Sequence, residues 1–183
     1  MLTYIILAVV IVLVLWLIGA FNSLVRARNR VKEAWSDINV QLRRRHDLIP
    51  NLVETVKGYV AHEQGVLEAV TKARTEAVSA GSMSQKGQAE NMLSGALDKL
   101  FALSEAYPTL KANENFAKLQ DELSDTENKI QAARRFYNTN VMDFNTKLEV
   151  FPTNMIASSL GFQKEEFFQL ASEAEAKLPQ VKF

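Results

Sequence analysis

Apolar residues follow two regimes along this chain. From Leu2 to Phe21 they run almost without interruption (LTYIILAVVIVLVLWLIGAF), and no charged side chain occurs before Arg26. A run of about 20 such residues, rising ~1.5 Å each as a helix, matches a hydrocarbon core roughly 30 Å thick. Lipid offers the backbone no hydrogen-bond partner, so the segment is predicted to be helical and to span a bilayer. Trp16 and Phe21 lie toward its far end, where bulky and amphipathic rings favour the interface. A cleaved secretory signal is the weaker account. MLTYI holds no basic residue, the apolar run exceeds the ~7 to 15 residues of such a signal, and Ile18-Gly19-Ala20 is a poor small-residue cleavage site. Residues 1–25 are therefore read as a retained transmembrane anchor and 26–183 as one helical domain.

Beyond the anchor the apolar positions recur at helical spacing. Val31, Trp35, Ile38, Leu42, Arg45, Ile49, Leu52, Val56, Tyr59, Glu63, Val66, Val70, Ala73 and Ala77 alternate steps of four and three without a slip. Only Arg45 and Glu63 depart from the apolar rule of this heptad seam. The register passes through Pro50, which removes the hydrogen bond to the His46 carbonyl and is expected to kink the helix. The unbroken register predicts one bent, continuous helix from the anchor to about Ser79, some 85 Å from Asn22 at ~1.5 Å per residue. Leu48, Val53, Val60 and Leu67 widen the seam, so this portion is expected to touch several neighbours. Before Leu48 the flanks are mostly polar, as in a thinner stalk.

Small and polar residues from Ala80 to Gly87 predict a turn. A second helix is expected from about Gln88 to Tyr107, with Ala89, Leu93, Ala96, Leu100, Leu103 and Tyr107 as its seam and Pro108 as its stop. A third begins near Ala112 or Asn113, carries Phe116, Leu119, Leu123, Thr126, Ile130, Ala133 and Tyr137 on one face, and closes at Phe151-Pro152. Thr153 or Asn154 would cap a short helix through Leu160, ended by Gly161, and a last amphipathic helix is expected over Gln163 to Lys177. No stretch alternates like a strand, so the fold class is all-α. Whether the third helix folds back beside the second, and whether the seam closes within one chain or between copies in a homo-oligomer, stays open at this level.

Charge adds an orientation. Arg26, Arg28, Arg30 and Lys32 crowd the side after the span and nothing basic precedes it, which by the positive-inside rule puts the N-terminus outside and the domain in the cytoplasm. The formal net charge is zero, but seven of the 21 basic and three of the 21 acidic residues precede Pro50, leaving −4 on the remainder. A basic juxtamembrane zone and a mildly acidic body suit an anionic inner leaflet and not a nucleic acid. Arg43, Arg44 and Arg45, roughly 35 Å along the helix, lie several Debye lengths beyond that leaflet. The chain has no cysteine, which excludes disulfides, thiol chemistry and thiolate metal sites.

Catalytic signatures are missing. Glycine-rich phosphate loops, paired-histidine zinc helices and nucleophile elbows do not occur. His46 and His62 stand 16 residues apart on the expected helix, about 24 Å, too far to share a metal, and are read as partly exposed helix residues. Arg45 and Glu63 are read as register-setting or snorkelling seam residues. The aromatic group Phe136, Tyr137, Phe144, Phe151, Phe162, Phe167 and Phe168 is read as packing of the C-terminal segments. No catalytic residue, cofactor or metal is assigned.

Taken together, Phe21-Asn22 after the anchor, Arg45 to Leu52 (RHDLIPNL), Tyr107-Pro108, Arg134-Arg135, Tyr137-Asn138, Asn145, Phe151-Pro152, Ala157 and Phe162 resemble the LemA family of bacterial membrane-anchored helical proteins. The resemblance implies an elongated antiparallel helical bundle held to the inner membrane by one N-terminal span. It supplies no catalytic residues, and it implies a link to envelope maintenance or to membrane proteases of the quality-control kind.

The sequence admits three functions. The first is a non-enzymatic membrane-anchored scaffold or adaptor for a protein partner. The second is a lipid-sensing or membrane-remodelling protein acting through Arg26 to Lys32 and the C-terminal phenylalanines. The third is an enzyme built on helix carboxylates such as Glu127 with Arg134.

Overall fold

A computed structural model describes residues 1–60 and 63–169. Among them there is no strand. Helix α1 spans Leu2–Lys57, α2 Gln64–Ser79, α3 Met83–Ser104, α4 Pro108–Lys111 and α5 Glu114–Glu149, followed by a single 3-10 turn at Thr153–Met155. Contacts divide the chain into two compact units. Among the described residues, one comprises Met1–Ile38 with Ala133–Phe167, the other Asn39–Ala132 with Phe168 and Gln169.

The second unit is an up-down-up-down bundle, and its polar contacts give the directions. The Arg74 side chain of α2 reaches the His46 carbonyl of α1, so α2 folds back along α1. Lys86 meets Asn39 while Arg45 meets Ser94, so α3 runs parallel to α1. Asn113 meets Tyr59 and Glu127 meets Arg45, so α5 returns antiparallel to α1. This answers the question the pattern left open: within this unit the third long helix folds back. Its core joins Ile49, Leu52 and Val56 of α1, Leu67, Val70, Ala73 and Ala77 of α2, Ala89, Leu93, Leu97 and Leu100 of α3, Leu110, and Phe116 and Leu123 of α5. Each is nearly stripped of solvent, and a fully buried leucine contributes about 1.5–3 kcal/mol.

In the first unit α1 packs against α5 and the segment that follows it. Leu24, Ala27, Val31, Ala34 and Ile38 are buried with Tyr137, Val141, Phe144, Ala157 and Phe162. Trp35 meets the Tyr137 ring at 5.4 Å, and Phe162 meets the edges of Phe21 and Phe144 at 5.8 and 6.4 Å. Residues 163–167 form a strap tied to α5 by two side chains. Asn145 donates to the Glu165 carbonyl and accepts from the Glu165 amide, both at 2.9 Å, satisfying backbone groups that have no helix to serve them. Tyr137 donates its hydroxyl to the Glu166 carbonyl at 2.9 Å.

Five expectations change. The long helix to Ser79 is two helices: α1 runs through Pro50 but ends at Lys57, and Gly58 and Tyr59 turn the chain before α2. A seam that keeps its period on both sides of a turn looks continuous, because both helices face one core. The turn after α2 is shorter than Ala80 to Gly87, since Ser82 and Gln85 form a reciprocal cap and α3 starts at Met83. No helix occurs over residues 163–169; the part of that expectation from Leu170 to Lys177 lies outside the described residues. The aromatic group also divides: Tyr137, Phe144, Phe162 and Phe168 are buried, whereas Phe136, Phe151 and Phe167 are exposed. The short helix expected from Thr153 or Asn154 through Leu160 is only the 3-10 turn Thr153–Met155, with Pro152 at its cap position and non-helical turns following to Gly161 at φ +77°. The start of α5 is as expected: Asn113 caps it by accepting from the Phe116 amide at 2.9 Å.

Candidate functional site

Charged groups converge in the interior of the second unit. Arg45 points inward from the α1 seam and is 3% exposed, Glu90 on α3 is 1% exposed, and His46 is also buried. One Arg45 terminal nitrogen pairs with the Glu90 carboxylate and lies 3.3 Å from the Glu90 carbonyl. The other pairs with the Glu127 carboxylate of α5 and donates to Ser94 Oγ at 3.1 Å. His46 Nε2 contacts the second Glu90 oxygen at 2.8 Å. With Glu90 ionised, Nε2 is the donor, because a carboxylate only accepts. Three helices are thus joined through one guanidinium.

Burial by itself drives the Glu90 carboxyl upward. The hydrogen bond from His46 and the Arg45 charge outweigh it, so Glu90 is held below its ordinary value and stays ionised. The Arg45 Nε is buried and has no hydrogen-bond partner among the described residues. Beside the guanidinium opens a cleft of about 430 Å³, lined by Arg45, Ser94, Asp98, Ser124, Glu127 and Asn128 together with Leu97, Leu123 and Phe101. Of its charged members, Arg45 and Glu127 pair with each other. On the surface nearby, Arg44 approaches Glu122 and Asp125 at 3.9 and 3.7 Å, exposed pairs that contribute little.

Of the residues singled out from the pattern, Arg45 keeps its seam position but does not snorkel, because its guanidinium is held inside by Glu90 and Glu127. Glu63 is not on a helical seam: it precedes α2 at the turn, half-buried, and its side chain caps nothing. Its heptad position is an accident of the turn's length. His46 is buried and bonded, not partly exposed, because the α1 face beside the seam also meets α3. His62 lies outside the described residues. Arg26, Arg30 and Lys32 are exposed, while Arg28 is half-buried with its guanidinium carbon 5.1 Å from the Phe162 ring centre, a cation–π contact. Among the described residues no three His, Asp or Glu side chains gather to hold a metal. Pattern reading missed Glu90. The signal was there: Glu90, Leu93, Leu97, Leu100 and Ser104 step by three and four and are the buried stripe of α3.

A model described as the LemA family matches residues 34–183. The chain belongs to the LemA family. Protein LemA of Metamycoplasma hominis is 31% identical over 163 residues, covering 86% of this chain and 72% of that protein. Magnetosome proteins MamQ 2 and MamQ 1 of Paramagnetospirillum magneticum are each 25% identical over 186 residues, covering 87% of this chain and 68% of theirs. The family match takes in the whole Arg45–His46–Glu90–Glu127 network and the Tyr137 and Asn145 ties. The apolar run that precedes it has a mean hydropathy of 3.0 and none of it is buried, so α1 carries a stretch long and apolar enough to cross a membrane.

Proposed function

We propose that this LemA-family chain is a non-enzymatic scaffold or adaptor, anchored in the bacterial inner membrane by residues 1–25 with the N-terminus outside. Residues 26–183 form its cytoplasmic helical domain, which presents a surface to a protein partner in envelope maintenance or membrane-protein quality control. The observation that carries this reading is the solvent-bare apolar run at the head of α1, continuous with a helix whose later turns enter a packed bundle. A stretch so apolar favours lipid over water. The Arg26 to Lys32 cluster supports the orientation. Mutual pairing of the interior charges supports a mechanical role for the bundle. The experiment is a pull-down of the intact protein in mild detergent beside a form lacking residues 1–25. The adaptor reading expects the intact form to enrich a reproducible set of envelope proteins. Enrichment of none by either form removes it.

A further inference from the structure

The turn after α5 carries side chains that its own unit does not cover. Phe151 is 79% exposed, Met155 70% and Val150 47%. Scattered exposed apolar residues are ordinary, but these three are neighbours, and their level along α1 is known. Lys147 Nζ donates to Ser23 Oγ at 3.2 Å, and Thr153 lines one small cavity with Trp16, Gly19, Ala20, Ser23 and Leu24. The turn therefore lies level with the last turns of the apolar run. If Leu2 to Phe21 occupy the hydrocarbon, Thr153, beside Trp16 and Ala20, sits up to about 8 Å inside the boundary marked by Phe21. An aqueous position for this turn and a transmembrane position for Trp16 are incompatible.

We propose that the Val150–Met155 turn is a second, interfacial membrane contact, with Phe151 and Met155 inserted among the acyl chains beside the transmembrane helix. Its occupant is the lipid bilayer. Depths of roughly 5–10 Å are those at which amphipathic segments lie in an interface. Lys147 and the exposed Arg26 stand just beyond, where anionic headgroups would meet them. Held at two points, the α1–α5 pair loses the freedom to swivel about a single span, which sets the direction in which the domain leaves the membrane. This inference rests on the anchor reading.

The absence of native cysteine makes the test direct. Leu13→Cys, Phe151→Cys, Met155→Cys and Thr139→Cys are placed one at a time in the full chain. Each is labelled with an environment-sensitive fluorophore and reconstituted into phosphatidylcholine–phosphatidylglycerol vesicles carrying nitroxide lipids, shallow or deep. Leu13 reports the span; Thr139 is an exposed position further along α5. Labels at 151 and 155 are expected to be quenched by the shallow nitroxide about twofold or more above the label at 139. Quenching at 13 with labels at 151 and 155 no different from 139 overturns the interfacial contact and leaves the anchor standing, as would occur if a second copy or another protein covered the turn. No quenching at 13 overturns the anchor reading and the inference with it.

Discussion

Arg74 Nε donates to the His46 carbonyl at 2.7 Å, and that carbonyl is the one Pro50 leaves without its intrahelical N–H. The proline that α1 tolerates in its interior is therefore matched by a side chain from α2. The break in the helix ladder becomes a tie between two helices.

Replacing Arg74 by Ala is expected to cost about 1–3 kcal/mol, the range for a buried acceptor left without a donor. In a Pro50→Ala background the restored N–H serves His46 itself, so the same Arg74→Ala change is expected to cost less than half as much. Urea unfolding of the four proteins of this double-mutant cycle measures the coupling. Equal costs in both backgrounds would separate Arg74 from Pro50.

Arg45 cross-links α1, α3 and α5, so removing it leaves Glu90 buried with an uncompensated charge. Arg45→Met is expected to lose roughly 3–5 kcal/mol, and Arg45→Met with Glu90→Leu to recover much of that loss, because an apolar pair needs no desolvated charges. Thermal unfolding in detergent reads both. An additive double variant would show that the two residues do not act together.

Acid should weaken the second unit through Glu90. Its folded pKa lies below the ordinary 4.5, so its contribution is present above that value and lost as the pH falls through the lower, folded one. The stability difference between the protein and Glu90→Gln is expected to shrink steadily below about pH 4.5. A difference that grows toward acid would reverse the sign of the argument.

Two glycines of α3 should respond oppositely to a methyl group. A Cβ on Gly87 would lie 2.5 Å from the Gln169 carbonyl oxygen, a backbone atom that cannot rotate aside, whereas one on Gly95 meets open space. Gly87→Ala is expected to expose the Phe168 region, seen as faster amide exchange there. Gly95→Ala is expected to add about 0.5–1 kcal/mol, the usual helical gain. Stabilisation by Gly87→Ala would refute the close approach.

Periodicity exposed the α1 seam, its passage through Pro50, the seam position of Arg45 and the cap of α5 at Asn113. It concealed the hairpin between α1 and α2, because the turn around Gly58 kept a seam spacing on both sides. Gly58, directly after Lys57 at the end of α1, was the local sign. Glu90 was hidden by choosing the alanine-rich stripe of α3 over the one containing a charge. The strap was not legible: residues 163–167 read as the start of an amphipathic helix, and backbone ties made by distant side chains such as Tyr137 and Asn145 leave no period.

Where the membrane cuts the chain decides the role of everything beyond Phe21. Thr3→Cys and Ser84→Cys, each the sole thiol of the full protein, can be challenged in intact spheroplasts with a membrane-impermeant maleimide. The anchored, inward-facing domain predicts labelling at position 3 in intact cells and at position 84 only after permeabilisation. Labelling at position 84 in intact cells would contradict it.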